Sequence, residues 1–517
     1  MAKPFDFGEV NLTAGGDESP ATPESETPFC VALLGDFSGR TSRGVCEPGS
    51  IASRRQVLID RDNFDQVLAK FSPEIHVQLG GTSSPVSLRF SELDDFHPDQ
   101  LFERAPLFQR LQAIRARVQD PASFAAAVEE LGLASSRPAP PKPRASEPPP
   151  TVAASVPRMA AGSLLDQTIE QTETLASDGR PGRADELQDF VRRVTEPHLV
   201  AAADPRRTEI MEAIDRAISA QMRAVLRAPD FQALEAAWRA VFLLVRRIET
   251  DSQLKLYLID ISREELDADL ESSSDLRATG IYRRLVEKSV GTPGAEPWAV
   301  IAGNYTFGPE RRDAELLGRL AKLAAAAGAP FLATASPRLL GCISLAATPE
   351  PRDWEPPQDA DGVSAWAALR RLPEATALGL ALPRFLLRLP YGRKTDPIES
   401  FDFEEMPDMP SHENYLWGNP AFVLALLLAQ AFSQHGWNLR PGVIAELDGL
   451  PLHVHEQNGE SALKPCAEAL LTERAAEHIL DSGLMPLLSL KGKDTVRLMR
   501  FQSIAEPLRA LAGRWNR

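Results

Sequence analysis

The sequence predicts an α/β protein with mixed sheets covered by helices, arranged as two units that a Pro-rich linker joins and a flexible N-terminal arm precedes. Three observations support this prediction. Short apolar runs end at glycine turns, strands and helices alternate at the spacing of a βαβ unit, and prolines cluster between residues 135 and 160. A chain of 517 residues has enough material for more than one core.

The N-terminal part is predicted to be an arm followed by a folded unit. Residues 1–28 are rich in Gly, Ser, Thr, Pro and acids, so they should form a flexible arm. Residues 29–134 form the first unit. Its patterns predict strands over Phe29–Leu34, Gln56–Asp60, Ile75–Leu79 and Val86–Phe90, an amphipathic helix over Phe64–Phe71, and helical structure over Asp99–Leu133.

The segment 135–161 is predicted to be a semi-rigid linker. Its clustered prolines lack amide donors and have a restricted φ, so neither helix nor sheet can propagate through it. The alternative reading is a ligand for an SH3-type domain, because Pro138, Pro141 and Pro148 stand in a polyproline-like context.

The second unit is predicted to span residues 162–517 and to contain a parallel sheet. A strand, a helix and another strand follow one another between Trp298 and Thr334, which is the order of a βαβ unit. The other predicted elements are helices over Leu164–Val191, Arg207–Arg227 and Phe231–Val245, a strand over Leu254–Ile259, and a terminal hairpin formed by Met485–Leu490 and Thr495–Phe501.

Composition argues against several functional classes. The formal net charge of −16 disfavours nucleic-acid binding, because a protein that tracks phosphates needs a basic face. The longest apolar run, Ala421–Phe432, is too short to cross a bilayer, and the N-terminus lacks the apolar core of a secretory signal. The four cysteines show neither disulfide nor zinc spacing. We therefore expect a cytoplasmic protein without membrane or nucleic-acid partners.

No motif predicts a catalytic or cofactor site. The glycine turn Gly35–Gly39 lacks the GK[ST] ending of a phosphate-binding loop, and no GxSxG elbow is present. His453 and His455 lie on one face of a predicted strand and could supply two metal ligands, but no third ligand is close in sequence. An unrecognised enzyme with an α/β core remains an alternative on these two histidines alone.

Aromatic, glycine and proline motifs stand out instead. The helix that begins near Asp230 places Phe231, Leu234, Glu235 and Trp238 along one side, which is typical of a core or interface element. Further motifs are PRFLLRLPYG at 383–392, FDFEE at 401–405 and YLWGNP at 415–420.

On these motifs the chain resembles the contractile sheath of type VI secretion systems. Residues 230–245, 296–308, 327–341, 378–392, 399–405 and 414–432 are similar to the large subunit TssC, in the TssC order. Residues 34–40, 59–68 and 93–98 are similar to the small subunit TssB. The chain thus resembles a natural fusion of both subunits. The residues that carry the resemblance, each expected to be structural or interfacial, are Gly35, Asp36, Phe37, Gly39, Asp60, Asn63, Phe64, Asp230, Phe231, Leu234, Glu235, Trp238, Pro383, Arg384, Phe385, Pro390, Tyr391, Gly392, Phe401, Phe403, Glu404, Trp417, Gly418, Asn419 and Pro420.

The resemblance implies a non-enzymatic structural subunit that needs no cofactor. It implies a helical homopolymer that surrounds an inner tube of Hcp rings and contracts to propel it, with baseplate proteins and a ClpV-type AAA+ ATPase as further partners. Strands added to a neighbour's sheet edge would hold the polymer together.

One departure supports a different role. The TssC subunit ordinarily ends in an RDKIG-like motif and a strand that joins a sheet in neighbouring protomers, and residues 482–517 do not align with that motif. The alternative is therefore a non-polymerising, sheath-like adaptor or cap at the baseplate or sheath end.

Overall fold

A computed structural model describes residues 5–10, 23–24, 26–79, 85–130, 205–290, 294–407, 410–457 and 459–515. The predicted linker and the predicted helix over Leu164–Val191 lie outside these ranges. The chain divides into two compact units, one within residues 1–109 and 217–517 and the other within 110–216.

A mixed sheet of nine strands organises the larger unit, in the order β11-β15-β14-β8-β7-β6-β1-β5-β2. Three two-stranded sheets, β9-β10, β12-β13 and β3-β4, accompany it. The strands are β1 Phe29–Gly35, β2 Val57–Ile59, β3 Glu74–Val77, β4 Val86–Arg89, β5 Leu254–Asp260, β6 Trp298–Phe307, β7 Phe331–Ala335, β8 Leu378–Leu382, β9 Phe385–Leu386, β10 Trp417–Gly418, β11 Glu446–Leu447, β12 His453–Gln457, β13 Glu460–Lys464, β14 Met485–Ser489 and β15 Val496–Leu498.

The centre of the large sheet combines both halves of the chain. Strand β1 pairs in parallel with β5 on one side, from Phe29 opposite Leu254 to Gly35 opposite Asp260, and with β6 on the other. All seven residues of β1 are buried, as expected for an apolar strand inside a parallel sheet that is covered on both faces. The motifs did not predict this shared sheet, and the domain boundaries at residues 29, 135 and 162 remain a prediction.

Helices cover both faces of the sheet. Alternate residues of β1 point to opposite sides: Cys30, Ala32 and Leu34 join a core with the helix over 311–327, whereas the Phe29 ring lies 4.7 Å from that of Phe432. The helices are α1 Phe64–Phe71, α2 Pro98–Arg104, α3 Pro106–Gln119, α4 Phe124–Glu130, α5 Pro205–Leu226, α6 Pro229–Arg247, α7 Arg263–Glu271, α8 Arg311–Ala327, α9 Ala360–Arg370, α10 Pro420–His435 and α11 Glu473–Asp481, with short 3-10 and π turns between them. The predicted α/β class is confirmed.

Part of the N-terminal arm differs from the expectation of flexibility. Residues Phe5 to Val10 pack against the core that contains α8, and their contacts are described below. Phe5, Phe7 and Val10 are three apolar side chains within six residues, and their burial stabilises this short stretch. The composition of residues 1–28 as a whole does not show such a local concentration.

Candidate functional site

Three of the sequence motifs meet at a buried group of charges around Arg388. The Arg388 Nε donates to Glu235 Oε1 at 2.8 Å, and its Nη1 donates to Glu405 Oε2 at 2.8 Å. Both carboxylates are fully buried, and the Arg388 side chain is 7% exposed. Helix α6, the segment after β9 and the stretch 401–405 are therefore joined by one guanidinium.

Two further groups complete this cluster, which we call the Arg388 cluster (Glu235, Arg239, Arg388, Tyr391 and Glu405). Arg239, one helical turn after Glu235, donates to it at 2.7 Å and also to the Tyr391 hydroxyl at 2.9 Å. The Tyr391 amide donates to Glu405 Oε2 at 2.8 Å, and its ring lies 4.2 Å from the Arg388 guanidinium carbon. Two cations and two anions balance, which is the condition for burying charges.

The electrostatics of the cluster favour its charged state. Burial alone would raise the pKa of Glu235, but the charges of Arg388 and Arg239 lower that pKa below its usual value. Burial raises the pKa of Tyr391 to about 12, so this hydroxyl stays protonated. The Glu235 carboxylate is therefore held ionised by its arginine partners, and the cluster joins three segments of the chain.

Helix α6 also presents Trp238 to the N-terminal half of the chain. The Trp238 Nε1 donates to the Phe37 carbonyl oxygen at 2.9 Å. Its ring meets those of Phe37, Phe64 and Phe71 edge-on, at centroid distances of 5.8, 5.9 and 5.6 Å. Aromatic pairs in this geometry add stability beyond burial, so Trp238 is a principal contact between the two halves.

Phe231 makes a second aromatic contact between the halves. Its ring lies 6.0 Å from Phe90 and 5.8 Å from Phe96, and these two rings stack on each other at 4.0 Å. Leu234 is buried on the same side of α6, while Asp230 at its start is exposed.

The turn after β1 is shaped by its glycines and by Asp36. The Asp36 carboxylate accepts hydrogen bonds from the Arg40 and Thr41 amides at 2.7 and 2.8 Å. Gly39 has a φ of +74°, and a Cβ there would collide with the Glu74 carbonyl oxygen. At Gly35 a Cβ would stand 3.0 Å from that of Asn304. This turn therefore requires glycine at position 39, whereas at position 35 the space for a side chain is tight.

Two carboxylates that sequence reasoning missed hold the same turn. Asp260, at the end of β5, accepts from the Phe37 amide at 2.8 Å and from the Ser38 hydroxyl at 2.7 Å. Glu265 is buried and pairs with Arg40 and Arg54. Burial opposes its charge, yet hydrogen bonds from Arg54 and Arg40 lower the pKa of Glu265 to about 2. The sequence signal was present in the Ser262–Glu265 capping box, but its arginine partners are more than 200 residues away.

Asp60 and Asn63 form a local turn that starts α1. Asp60 Oδ1 accepts from the Asp62 and Asn63 amides, both at 2.9 Å, and Asn63 Oδ1 accepts from the Asp60 amide at 3.1 Å. The turn sets the direction of α1 and so delivers Phe64 to Trp238.

Comparison with known families identifies both halves. The VipB family model, described as EvpB/VC_A0108, tail sheath N-terminal domain, matches residues 208–505. The chain belongs to this tail sheath family. A second model, described as type VI secretion system, VipA, VC_A0107 or Hcp2, matches residues 10–131. One sheath chain thus carries a VipA-like and a VipB-like segment, which confirms the resemblance to a TssB–TssC fusion.

One curated relative is a sheath protein of the same system. The type VI secretion system sheath protein TssC1 of Pseudomonas aeruginosa is 36% identical over 304 residues, which are 58% of this chain. The chain covers 61% of the length of that relative.

The remaining sheath motifs surround β9 and β10. Arg384 pairs with Glu468: the Arg384 Nε donates to Glu468 Oε1 at 2.9 Å, and the Arg384 carbonyl accepts from the Glu468 amide at 3.0 Å. Pro383 and Phe385 are buried beside it. Asn419 caps α10 through a 2.8 Å bond from the Ala421 amide, and its side-chain amide donates to the Tyr305 carbonyl at 3.2 Å. The neighbouring motif positions Trp417, Gly418 and Pro420 are also buried.

Gly392 and Glu404 fit together beside the Arg388 cluster. A Cβ at Gly392 would collide with the Glu404 carboxylate, which accepts from the Arg393 amide at 3.1 Å. Pro390 and Phe403 are buried, and the Phe401 ring lies 4.6 Å from that of Phe102. Of the individual residues named above as carrying the resemblance, only Asp230 is exposed. The motifs therefore organise the interior of the sheath subunit.

Among the described residues, the two histidines lie together without a third metal ligand. His453 and His455 stack with centroids 5.4 Å apart, but His453 Nδ1 is hydrogen-bonded to the Tyr415 hydroxyl at 2.7 Å. Burial lowers the pKa of His453 to about 4, so it is neutral near pH 7. In the part of the chain that the structure describes, no group of three His, Cys, Asp or Glu side chains is placed to hold a metal ion. Nor does any helix there have the length and apolar character to span a membrane.

The predicted terminal hairpin is present, but inside the main sheet. Strands β14 and β15 pair antiparallel, β14 also pairs in parallel with β8, and β15 pairs with β11 at the sheet edge. Beyond β15 the chain returns along β8, where the Ile504 amide donates to the Leu378 carbonyl. The outer side of β11 and that of β2 are the two edges of this sheet.

Proposed function

We propose that the chain is a structural subunit of a type VI secretion contractile sheath, which polymerises around an Hcp-type tube and contracts to propel it. The observation that carries this proposal is the insertion of β1, from the VipA-like segment, between β5 and β6 of the VipB-like segment. Neither segment supplies the whole sheet, so the two halves together make one protomer.

Fusion has a simple physical consequence. When both halves lie in one chain, their association is intramolecular, with an effective concentration on the order of millimolar for a suitable linker. We therefore propose a sheath whose two halves are always present in equal number.

Subunit contacts would then form at surfaces that the motifs do not occupy. The sheet edges β11 and β2 carry backbone groups that a strand from another copy can pair with. Exposed apolar side chains lie close to the β11 edge: Val443 is 56% and Met499 is 42% exposed. Contraction would exchange one packing of such surfaces for another, which requires no chemical step and no cofactor.

Baseplate proteins and a ClpV-type AAA+ ATPase are the further partners that we propose, in the cytoplasm. Four free cysteines, three of them buried, suit a reducing compartment. The buried charges described above are fully paired, which supports a structural protein rather than an enzyme.

Electron microscopy of the purified chain, alone and with its cognate tube protein, tests the proposal. Truncation before Met485 is unsuitable because it would remove two strands of the main sheet. The double substitution V443D/M499D instead places charges beside β11 and leaves the strands in place. Val363→Asp, at an exposed valine of α9, is the matched control. We expect tubular filaments for the wild type and the control, and single particles for the edge variant.

The adaptor reading predicts a different result. We keep a cap that does not polymerise as the alternative, because residues 482–517 do not align with the RDKIG-like motif of the large subunit. Single particles of the wild-type chain under all conditions, together with binding to the end of a sheath built from separate subunits, would establish the adaptor and exclude the self-sufficient sheath.

A further inference from the structure

The N-terminal residues Phe5 to Val10 lie in a groove along α8. The Phe7 ring rests on Gly318, where a Cβ would collide with it, and the Arg311 guanidinium carbon lies 4.9 Å from the centroid of the Phe5 ring. Between the two rings, the Asp6 carboxylate pairs with Arg319 at 3.0 Å. Three residues of α8, Arg311, Gly318 and Arg319, thus contact the two aromatic rings and the acid.

The end of the segment is held by hydrogen bonds to its backbone. Glu9 donates to the Ser274 carbonyl at 2.7 Å and accepts from the Leu276 amide at 3.0 Å. Lys322 Nζ donates to the Gly8 carbonyl. Gly8 has a φ of +65°, and a Cβ there would lie 2.8 Å from a Leu276 methyl carbon. The fourth position therefore requires glycine for both conformation and space.

Two residues of α8, Gly318 and Arg319, are suited to this segment. Glycine is less favourable than alanine inside a helix, yet Gly318 stands in the middle of the 17 residues of α8, beneath Phe7. The Arg319 side chain is 7% exposed, and its ion pair is with Asp6. A hydrogen bond from the Gly8 amide, and the charge of Arg319, lower the pKa of Asp6 despite its partial burial.

We propose that the α8 groove is a peptide-recognition site for the sequence aromatic–acid–aromatic–glycine, in which the chain's own N-terminus is a displaceable ligand. Each contact is made by residues 5–10 alone, so the same segment presented by a second copy of the chain fits equally well. Sixteen residues separate Val10 from Thr27, whose carbonyl accepts from Trp437 Nε1 at 2.7 Å, and sixteen residues span up to about 55 Å when extended, which is long enough to permit release. The proposal does not depend on contraction or on a polymer.

The chain contains its own control sequence. Phe401, Asp402 and Phe403 repeat the aromatic–acid–aromatic pattern, but Glu404 stands where the groove requires glycine. A peptide of residues 399–407 should therefore bind at least about tenfold more weakly than a peptide of residues 2–12, because a non-glycine residue is strained at positive φ.

Fluorescence anisotropy of the labelled 2–12 peptide with full-length chains tests this proposal. The F5A/F7A chain frees the groove and should bind the peptide saturably. The wild-type chain should bind at least about tenfold more weakly, because its own segment competes. Adding Gly318→Ala to F5A/F7A should abolish binding, although alanine is the better helix former, so loss of the helix cannot explain the result.

Three results would overturn the proposal. They are no saturable binding by an F5A/F7A chain that keeps the wild-type circular dichroism, equal binding of the two peptides, and binding that Gly318→Ala leaves unchanged. If F5A/F7A does not fold, Asp6→Asn keeps both rings and takes its place. A failure here would leave the sheath proposal intact, because anisotropy is read on unassembled chains.

Discussion

Replacing Arg388 with methionine tests whether the Arg388 cluster holds the protomer together. The change removes five hydrogen bonds at 2.8 to 3.3 Å: two to Glu235, two to Glu405 and one to the Leu389 carbonyl. Glu235 keeps Arg239 and Glu405 keeps the Tyr391 amide, but one negative charge is left uncompensated in the interior. Breaking a buried pair in this way costs about 3–5 kcal/mol of the free energy of unfolding.

Differential scanning calorimetry and denaturant unfolding measure that cost. Unfolding entropy of about 2 cal/mol/K per residue, over the roughly 400 residues of the larger unit, makes 1 kcal/mol equal to about 1 °C. We therefore expect the midpoint temperature to fall by about 3–5 °C. The control is Arg393→Met, which breaks an ion pair with Asp402 whose side chains are 73% and 70% exposed, and should cost about 0–1 kcal/mol.

The pH dependence separates lost charge pairing from lost packing. In the wild type the pKa of Glu235 is lowered, so its contribution is present above the unfolded pKa and is lost as the pH falls through the folded one. In the variant, a buried carboxylate without its cation has a raised pKa, so protonation at lower pH removes the uncompensated charge. The difference in the free energy of unfolding between wild type and variant should therefore become smaller as the pH falls from 8 to 5. A gap below about 1 kcal/mol at pH 8, or one that is constant with pH, would refute the reasoning.

Three further predictions follow from the described geometry. Gly39→Ala should destabilise the chain by about 1–2 kcal/mol more than Gly44→Ala in urea unfolding: both glycines have positive φ, but only at Gly39 would a Cβ meet other atoms, and equal losses would contradict the model of the turn. Under native conditions a maleimide should label Cys46 rapidly, whereas Cys30, which is buried with a pKa raised to about 12, should react only after unfolding; rapid labelling of both would show that β1 is not in the sheet. The lowered pKa of Glu265, about 2, means that its stabilisation is present above about pH 4.5 and is lost as the pH falls toward 2, so Glu265→Gln should flatten the decline in stability over that interval, and an unchanged slope would show that the pairing is absent.

The fusion also affects how the protomer is made. Strand β1 pairs with strands that lie more than 200 residues later, so the central sheet can close only after the VipB-like segment has been synthesised. Contacts so distant in sequence carry a high loop-closure entropy and fold slowly. A covalent tether limits that entropy, compared with two free chains.

The sequence by itself determined the local elements. The apolar run Phe29–Leu34 became the predicted strand, and the three- and four-residue spacing of α6 became the predicted helix, because hydrogen-bond periodicity and burial depend on a few neighbouring residues. The order and identity of the motifs also determined the family.

Only the tertiary structure decided which of these elements meet. The sequence pattern marked Glu235 but could not pair it with Arg388, did not indicate Glu265 as the partner of Arg40 and Arg54, and predicted no role for Asp6. Pairings of single charges across 153 to 313 residues leave no period in the sequence, since each depends on how the whole sheet brings distant segments together. For the same physical reason, the sequence predicts two separate units, whereas in the structure β1 lies between β5 and β6 in one sheet.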